Sequence, residues 1–150
     1  MTIRTKRLAP GDESTLSMIA IQEADFDMQG ESGPAAPLSA TDARAYLANS
    51  AVLFWVSLDE NDCVTGFVSC VLVPLRAAPG RELLLYDIGV RKAWRRRGAG
   101  RALLTQMNCW MQDNAVELCW VLSDQSAVQF YRACGFHADD DQPVFMLREI

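Results

Sequence analysis

Three strand-length runs follow one another in the middle of the chain, and their spacing narrows the fold more than any other feature. Residues 51–58 and 64–75 are β-sized runs joined through Asp59-Glu60-Asn61-Asp62, which reads as a hairpin turn. Residues 76–81, with Pro79-Gly80, form a second turn that leads into a third long run at 82–90. These tracts suit a sheet, not a bilayer, because no apolar stretch approaches the roughly 18–20 residues of a membrane span.

Helical patterns flank the strands. Residues 2–8 can form a first short strand. Leu16, Ile19, Ala20 and Glu23 recur at helical spacing, which predicts a helix over about 11–24. Residues 28–37 hold Gly30, Gly33, Pro34 and Pro37 and read as an irregular loop. Ser39-x-x-Asp42 resembles a capping box for a helix ending near Asn49. Leu103, Leu104, Met107, Trp110 and Met111 share one face of a helix over 98–113. A buried strand is expected over 117–122. Ser123 is a candidate N-cap for a helix through Cys134, with Gly135 ending it. A last strand is expected at 144–148, with a further short one near 136–138. The order is β-α-α-β-β-β-α-β-α-β, an α+β chain of mixed elements.

The chain has 150 residues, half of them apolar, and a mean hydropathy near zero. That is enough for one domain over 1–150 with its own core, and it argues against disorder. No repeat of 20–50 residues divides it. The N-terminus carries no apolar signal region, so a secretory leader is not expected. Five cysteines, Cys63, Cys70, Cys109, Cys119 and Cys134, form no C-x-x-C pair, and His137 is the one histidine. A disulfide framework or a metal site is therefore not expected, and a reducing cytoplasm is.

Charge is unevenly spread. The net charge is −5, yet Arg91, Lys92, Arg95, Arg96, Arg97 and Arg101 put six cations into eleven residues without an acid. Outside that segment eight basic residues face nineteen acidic ones, a balance of −11. One basic spot on an acidic protein suggests an anionic ligand there and a cationic one elsewhere. Nucleic acid is not an expected partner, because it calls for an extended basic surface.

Strand, then Arg95-Arg96-Arg97-Gly98-Ala99-Gly100-Arg101, then helix, is a phosphate-binding arrangement. A helix start offers unpaired N–H groups and partial positive charge. Gly98 and Gly100 let backbone approach an anion, and the arginines add charge-assisted hydrogen bonds. A pyrophosphate suits it. The Walker spacing Gly-x-x-x-x-Gly-Lys-Ser/Thr is absent, and the dinucleotide-binding glycine spacing does not match.

Arg95-x-x-Gly98-x-Gly100 resembles the Gln/Arg-x-x-Gly-x-Gly/Ala signature of the GNAT superfamily of N-acetyltransferases. Ala127-x-x-Phe130-Tyr131-x-x-x-Gly135-Phe136 resembles a later segment of the same family. The resemblance implies a mixed, mostly antiparallel sheet flanked by helices. In it the strands before Arg91 and after Val116 run parallel and splay into a cleft for acetyl-coenzyme A. It implies that the donor's arm pairs with Ile88, Gly89 and Val90. The pyrophosphate then lies on Arg95, Arg96, Arg97, Gly98, Ala99, Gly100 and Arg101. Two positions depart from the family pattern. Lys92 stands where the family often has Pro, and Asp124 stands where it often has Asn beside the donor arm.

Acetyl transfer to an amine needs a neutral nucleophile and a proton for the leaving thiolate. Tyr131 is the candidate acid. Asp87 and Glu82, on the strand bordering the thioester, are the candidate basic groups. Glu82 and Tyr86 share strand parity, and Asp87 faces the other way unless a bulge intervenes.

The acceptor is expected to be a small polycationic amine. Glu23, Asp25, Asp27 and Glu31 precede the core, and Asp139-Asp140-Asp141 follows it. By the resemblance, both stretches border the acceptor mouth. Ile3-Arg4-Thr5 with Arg7-Leu8, Leu85-Tyr86-Asp87-Ile88, Tyr46-Leu47 and Val71-Leu72-x-Pro74 are similar to the aminoglycoside 3-N-acetyltransferases. That likeness implies a resistance-type activity. A protein or peptide N-acetyltransferase, an acetylator of aminoacyl-tRNA and a non-catalytic coenzyme A-binding module are the alternatives. The apolar tract Val144-Phe145-Met146-Leu147 suits either an edge strand paired across a homodimer or one covered within the monomer.

Overall fold

The computed structural model describes residues 2–26 and 36–150. Its elements are β1 (Arg4–Arg7), α1 (Glu13–Ile21), α2 (Ala40–Ala48), β2 (Val52–Leu58), β3 (Val64–Pro74), β4 (Arg81–Val90), α3 (Ala99–Asp113), β5 (Cys119–Val121) and α4 (Val128–Ala133). Short 3₁₀ turns lie at Glu23–Phe26, Lys92–Trp94 and Gln125–Ala127. The strands form one sheet in the order β1-β2-β3-β4-β5. The first three pairings are antiparallel and β4–β5 is parallel. This is the mixed, mostly antiparallel sheet flanked by helices that the family resemblance implies.

Both faces of the central strands are covered, which is why β2 and β3 read as near-continuous apolar runs. Alternate residues serve opposite layers. Leu53, Trp55, Val68, Cys70, Leu83 and Leu85 pack on Leu103, Leu104 and Met107 of α3. Phe54, Val56 and Phe67 pack on the other side against Ile19 of α1, Leu47 of α2 and Phe26.

One irregularity breaks this alternation. Cys70 pairs with Leu85 but Ser69 pairs with Asp87, so Tyr86 is an extra residue on β4. A bulge of this kind turns the following residues over. Asp87 and Gly89 thereby join Ser69 and Phe67 on the α1–α2 side, while Ile88 packs with the α3 core. Beyond Leu85 the parallel partner ends. β5 pairs with Leu83, Leu84 and Leu85 alone, and β4 runs on to Val90. The edge of β4 that faces β5 is thus left unpaired beyond Leu85.

Helix ends follow local chemistry. Ser39 caps α2 by accepting from the Asp42 N–H at 3.1 Å. Gly135, at φ 94°, follows α4 in the left-handed conformation glycine tolerates. Three expectations are corrected. Ser123 caps no helix: it bonds the Asp124 carbonyl, and a 3₁₀ turn after Asp124 precedes a short α4. The run at 117–122 is paired over three residues, with Cys119 and Val121 on the core and Leu118, Trp120 and Leu122 exposed. Residues 144–148 and 136–138 form no strand, and Val144 through Leu147 are exposed. β-propensity reports how a side chain fits a pleated surface, and it supplies no partner strand. The predicted loop at 28–37 lies largely outside the described residues.

Gly89 leaves little room for added volume. A Cβ there would lie 2.7 Å from the Phe67 ring and 3.0 Å from Phe26 Cβ. Gly89→Ala should destabilise the protein by about 1–3 kcal/mol, read as a lower urea midpoint at unchanged slope. An unchanged midpoint would show that the aromatic pair gives way freely.

Candidate functional site

The bulge delivers Asp87 to a cavity of about 240 Å³ between the sheet and the helices that precede β2. Tyr86, Ser69 and Phe67 come from the sheet, Tyr46 from α2, and Glu23 from the 3₁₀ turn after α1. The Tyr46 hydroxyl and Ser69 Oγ are 3.3 Å apart. Asp87 Oδ1 is buried and has no hydrogen-bond partner among the described residues. Burial, and then the charge of Glu23, push the Asp87 carboxyl up to about 6. An anion in such a place is short of a cation.

Tyr131 lies on the other side of β4. Its ring is buried in the α3 core between Phe130 and Phe136, with centroids 5.4 Å away in each case. Burial first and the charge of Asp87 second push its hydroxyl up to about 12, so it stays protonated at working pH. Glu82 is placed apart from both. It pairs with Val73 near the start of β4, before the bulge, and does not line the cavity. Asp124 is exposed at the head of the turn before α4, where its charge also acts on Tyr131.

The basic turn has the form of an anion cradle. Arg96 (φ 58°) and Gly98 (φ 91°) both adopt left-handed backbone, and Gly98 begins α3 without a side-chain cap. The first bond of α3 runs from Ala102 N–H to Gly98 O, so the amides of Ala99, Gly100 and Arg101 precede the intrahelical ladder. Arg95, Arg96, Arg97 and Arg101 are exposed around this helix start. Arg97 also stacks on Trp94, 5.6 Å from its ring centroid. Donors of this kind, with no acid among them, fit a pyrophosphate. Ile88, Gly89 and Val90 lie on the part of β4 that β5 does not reach.

Two expected details differ. The missing Cβ of Gly100 faces Phe130 Cζ at 3.0 Å, so this glycine makes room for α4 against α3 rather than for a ligand. Arg91 belongs to the basic run in sequence, yet it points the other way and bonds Asp25 at 2.7 Å. Among the acidic stretches, Glu23 reaches the cavity and Asp25 is held by Arg91. Asp139, Asp140 and Asp141 are exposed, and Asp27 and Glu31 lie outside the described residues. Ser69 was not anticipated. Its signal is a hydroxyl in the middle of an otherwise apolar strand, which a buried run tolerates only where a polar partner is near.

The buried carboxylate makes stability depend on pH. The native Asp87 carboxyl holds its proton more tightly than the ordinary 3.8 of an unfolded chain. Its contribution is therefore complete below about pH 4 and is lost as pH rises through about 6. Asp87→Asn should raise stability at pH 8 by about 1–3 kcal/mol, with the gain gone near pH 4. Urea titrations at both pH values check this, and equal stability at pH 8 would show that the carboxylate is better solvated than the fold implies.

A family model described as the acetyltransferase (GNAT) family matches residues 17–136. Solved structures share the fold. An aminoglycoside acetyltransferase, meta-AAC0020, from an uncultured soil metagenomic sample and in complex with sisomicin, aligns with a TM-score of 0.81 at 22% identity, over 99% of this chain and 96% of that one. The aminoglycoside acetyltransferase HMB0005, also from a soil metagenome, aligns with a TM-score of 0.84 at 18% identity, over 100% and 99%. A ribosomal-protein-alanine N-acetyltransferase from Brucella melitensis biovar Abortus 2308 aligns with a TM-score of 0.76 at 14% identity, over 99% and 100%. At these identities the likeness is one of fold. No curated protein matches the chain by sequence. The family match spans both the turn from Arg95 to Gly100 and the segment from Ala127 to Phe136, and the chain belongs to the GNAT family of acetyltransferases, which use acetyl-coenzyme A as donor.

Proposed function

We propose that the protein acetylates a primary amine on a small polycationic acceptor, with an aminoglycoside as the most specific candidate. The observation that carries this reading is the buried, unpartnered oxygen of Asp87 in a cavity that also holds Glu23. Two carboxylates beside the tyrosines Tyr46 and Tyr86 suit an ammonium group. The cavity is smaller than the roughly 300–1,000 Å³ of pockets that enclose a drug-sized ligand. It takes the amine-bearing end of a larger molecule, and the rest stays in the mouth. The acidic surface outside the basic turn supports capture of such a cation.

Acetyl-coenzyme A, when bound, supplies the activated thioester. Arg95, Arg96, Arg97, Gly98, Ala99, Gly100 and Arg101 would hold its pyrophosphate, and the free edge of Ile88, Gly89 and Val90 its arm. Asp124, at the head of the turn before α4, has no amide side chain to offer the arm. Asp87, ionised above about pH 6, holds the ammonium and takes up its proton, directly or through water, so that the neutral amine can attack. Tyr131 keeps a proton on its hydroxyl for the departing sulfur. Glu82, remote from the cavity, serves at most the far rim. The five thiols are free, which suits a reducing cytoplasm.

The decisive experiment is thiol release from acetyl-coenzyme A with sisomicin, spermidine, free amino acids and peptide N-termini. Cationic acceptors should turn over fastest, and turnover of peptide N-termini alone would favour a protein acetyltransferase. Asp87→Asn should cost about ten- to a hundredfold in kcat/KM for cationic acceptors, with donor affinity unchanged. Tyr131→Phe should lower kcat by about 10²–10⁴-fold while calorimetry shows normal binding of coenzyme A. A wild-type kcat in that variant, with chemistry rate-limiting, would remove the acid role. Gly100→Asp is a poor probe of the donor site, because its side chain would strike Phe130.

A further inference from the structure

Arg91 stands where β4 ends and the basic turn begins, yet its bonds lead away from the donor cradle. Its N–H donates to Thr65 O at 2.9 Å and its Nε to Val64 O at 2.6 Å, both on β3. Nη1 donates to Asp25 Oδ2 at 2.7 Å, and Nη2 to Gln22 Oε1 at 2.6 Å and to Met18 Sδ at 3.3 Å. The guanidinium plane lies over Phe26, 4.6 Å from the ring centroid. Every nitrogen is committed, the side chain is only 20% exposed, and one face is stacked. Such an arginine has no fork left for a phosphate.

Its partners share one location. Met18 and Gln22 lie in and just after the last turn of α1, and Asp25 and Phe26 lie in the 3₁₀ turn that follows. That turn carries Glu23 into the cavity beside Asp87. A four-residue turn holds itself with few bonds of its own, so its position depends on what it is tied to. Two of its ties are the Arg91 bonds and the seating of Phe26 against Phe67, 5.4 Å away, in the space that Gly89 leaves.

We propose that Arg91 is a positioning residue for the acceptor: it fastens the turn Glu23–Phe26 to the β3–β4 pair and so sets Glu23 against Asp87 across the cavity. The proposal rests on the reading of that cavity as the acceptor site. It divides the basic run by task. Arg95, Arg96, Arg97 and Arg101 serve the donor, and Arg91 serves the acceptor wall.

The variants are Arg91→Gln and Arg91→Lys. In the ligand-free protein, amide exchange over residues 22–26 should quicken by about tenfold in Arg91→Gln, while α3 stays protected. Calorimetric affinity for coenzyme A should match the parent. With the amine the parent acetylates best, the acceptor KM should rise about tenfold, the size expected for one lost charge-assisted hydrogen bond. The donor KM and the saturating kcat should hold. Arg91→Lys keeps a charge for Asp25 and should fall between. Asp25→Asn should raise the acceptor KM alone, and combined with Arg91→Gln it should add little. A loss of coenzyme A affinity would make Arg91 a donor residue and overturn the proposal. So would unchanged exchange over 22–26, or an unchanged acceptor KM in a parent that acetylates amines. A parent that acetylates none of them overturns the acceptor reading and this proposal together.

Discussion

The extra residue at Tyr86 governs the rest of the site. A strand without it would send Asp87 into the α3 core behind Leu83 and Leu85, where a carboxylate has nothing to bind. With it, β4 changes face after Leu85, and Asp87 emerges beside Ser69 and Tyr46. The same slip sends Gly89 toward Phe67, where only a glycine leaves room for Phe26. One bulge thus places the acid and seats the turn that carries Glu23. Bulges often re-aim side chains in this way at functional sites.

Keeping one oxygen of a carboxylate buried without a hydrogen-bond partner opposes folding, and the fold tolerates it because the layers on either side are well packed. Trp55, Leu53, Val68, Leu83 and Leu85 are fully buried on the α3 side, and Phe54, Phe67 and Phe26 stack or meet edge-on on the other. The site is therefore a polar defect between largely apolar layers, where the other buried polar side chains among the described residues, Ser57 and Thr65, bond each other at 2.8 Å. On the proposed reading, a cationic acceptor would relieve that defect and so tie binding to stability.

The cations divide by geometry, not by sequence distance. Arg91 and Arg95 are four residues apart. Arg91 turns back over β3 and the turn after α1, whereas the segment from Arg95 passes through left-handed backbone at Arg96 and Gly98 to the start of α3. Between them one short connection links the cavity proposed for the acceptor to the turn proposed for the donor's pyrophosphate.

Much of this was legible in the sequence alone. The strand runs, the helical faces, the Ser39 cap, the Gly135 stop and the glycine-arginine turn are local patterns, set by residues close together in the chain, and they pointed to the family before any coordinates. Other features depend on partners far away in sequence. Whether Asp87 faced the cavity turned on a one-residue slip against Ser69, eighteen positions earlier. Arg91 sits in the basic run, and its bonds reach Gln22 and Asp25, far away in the chain. The apolar tract at 144–148 had the composition of a strand but found no edge to join. Periodicity and propensity determine which local structures a segment favours. Only tertiary structure decides which faces meet, because register and burial are properties of pairs of segments and not of either one.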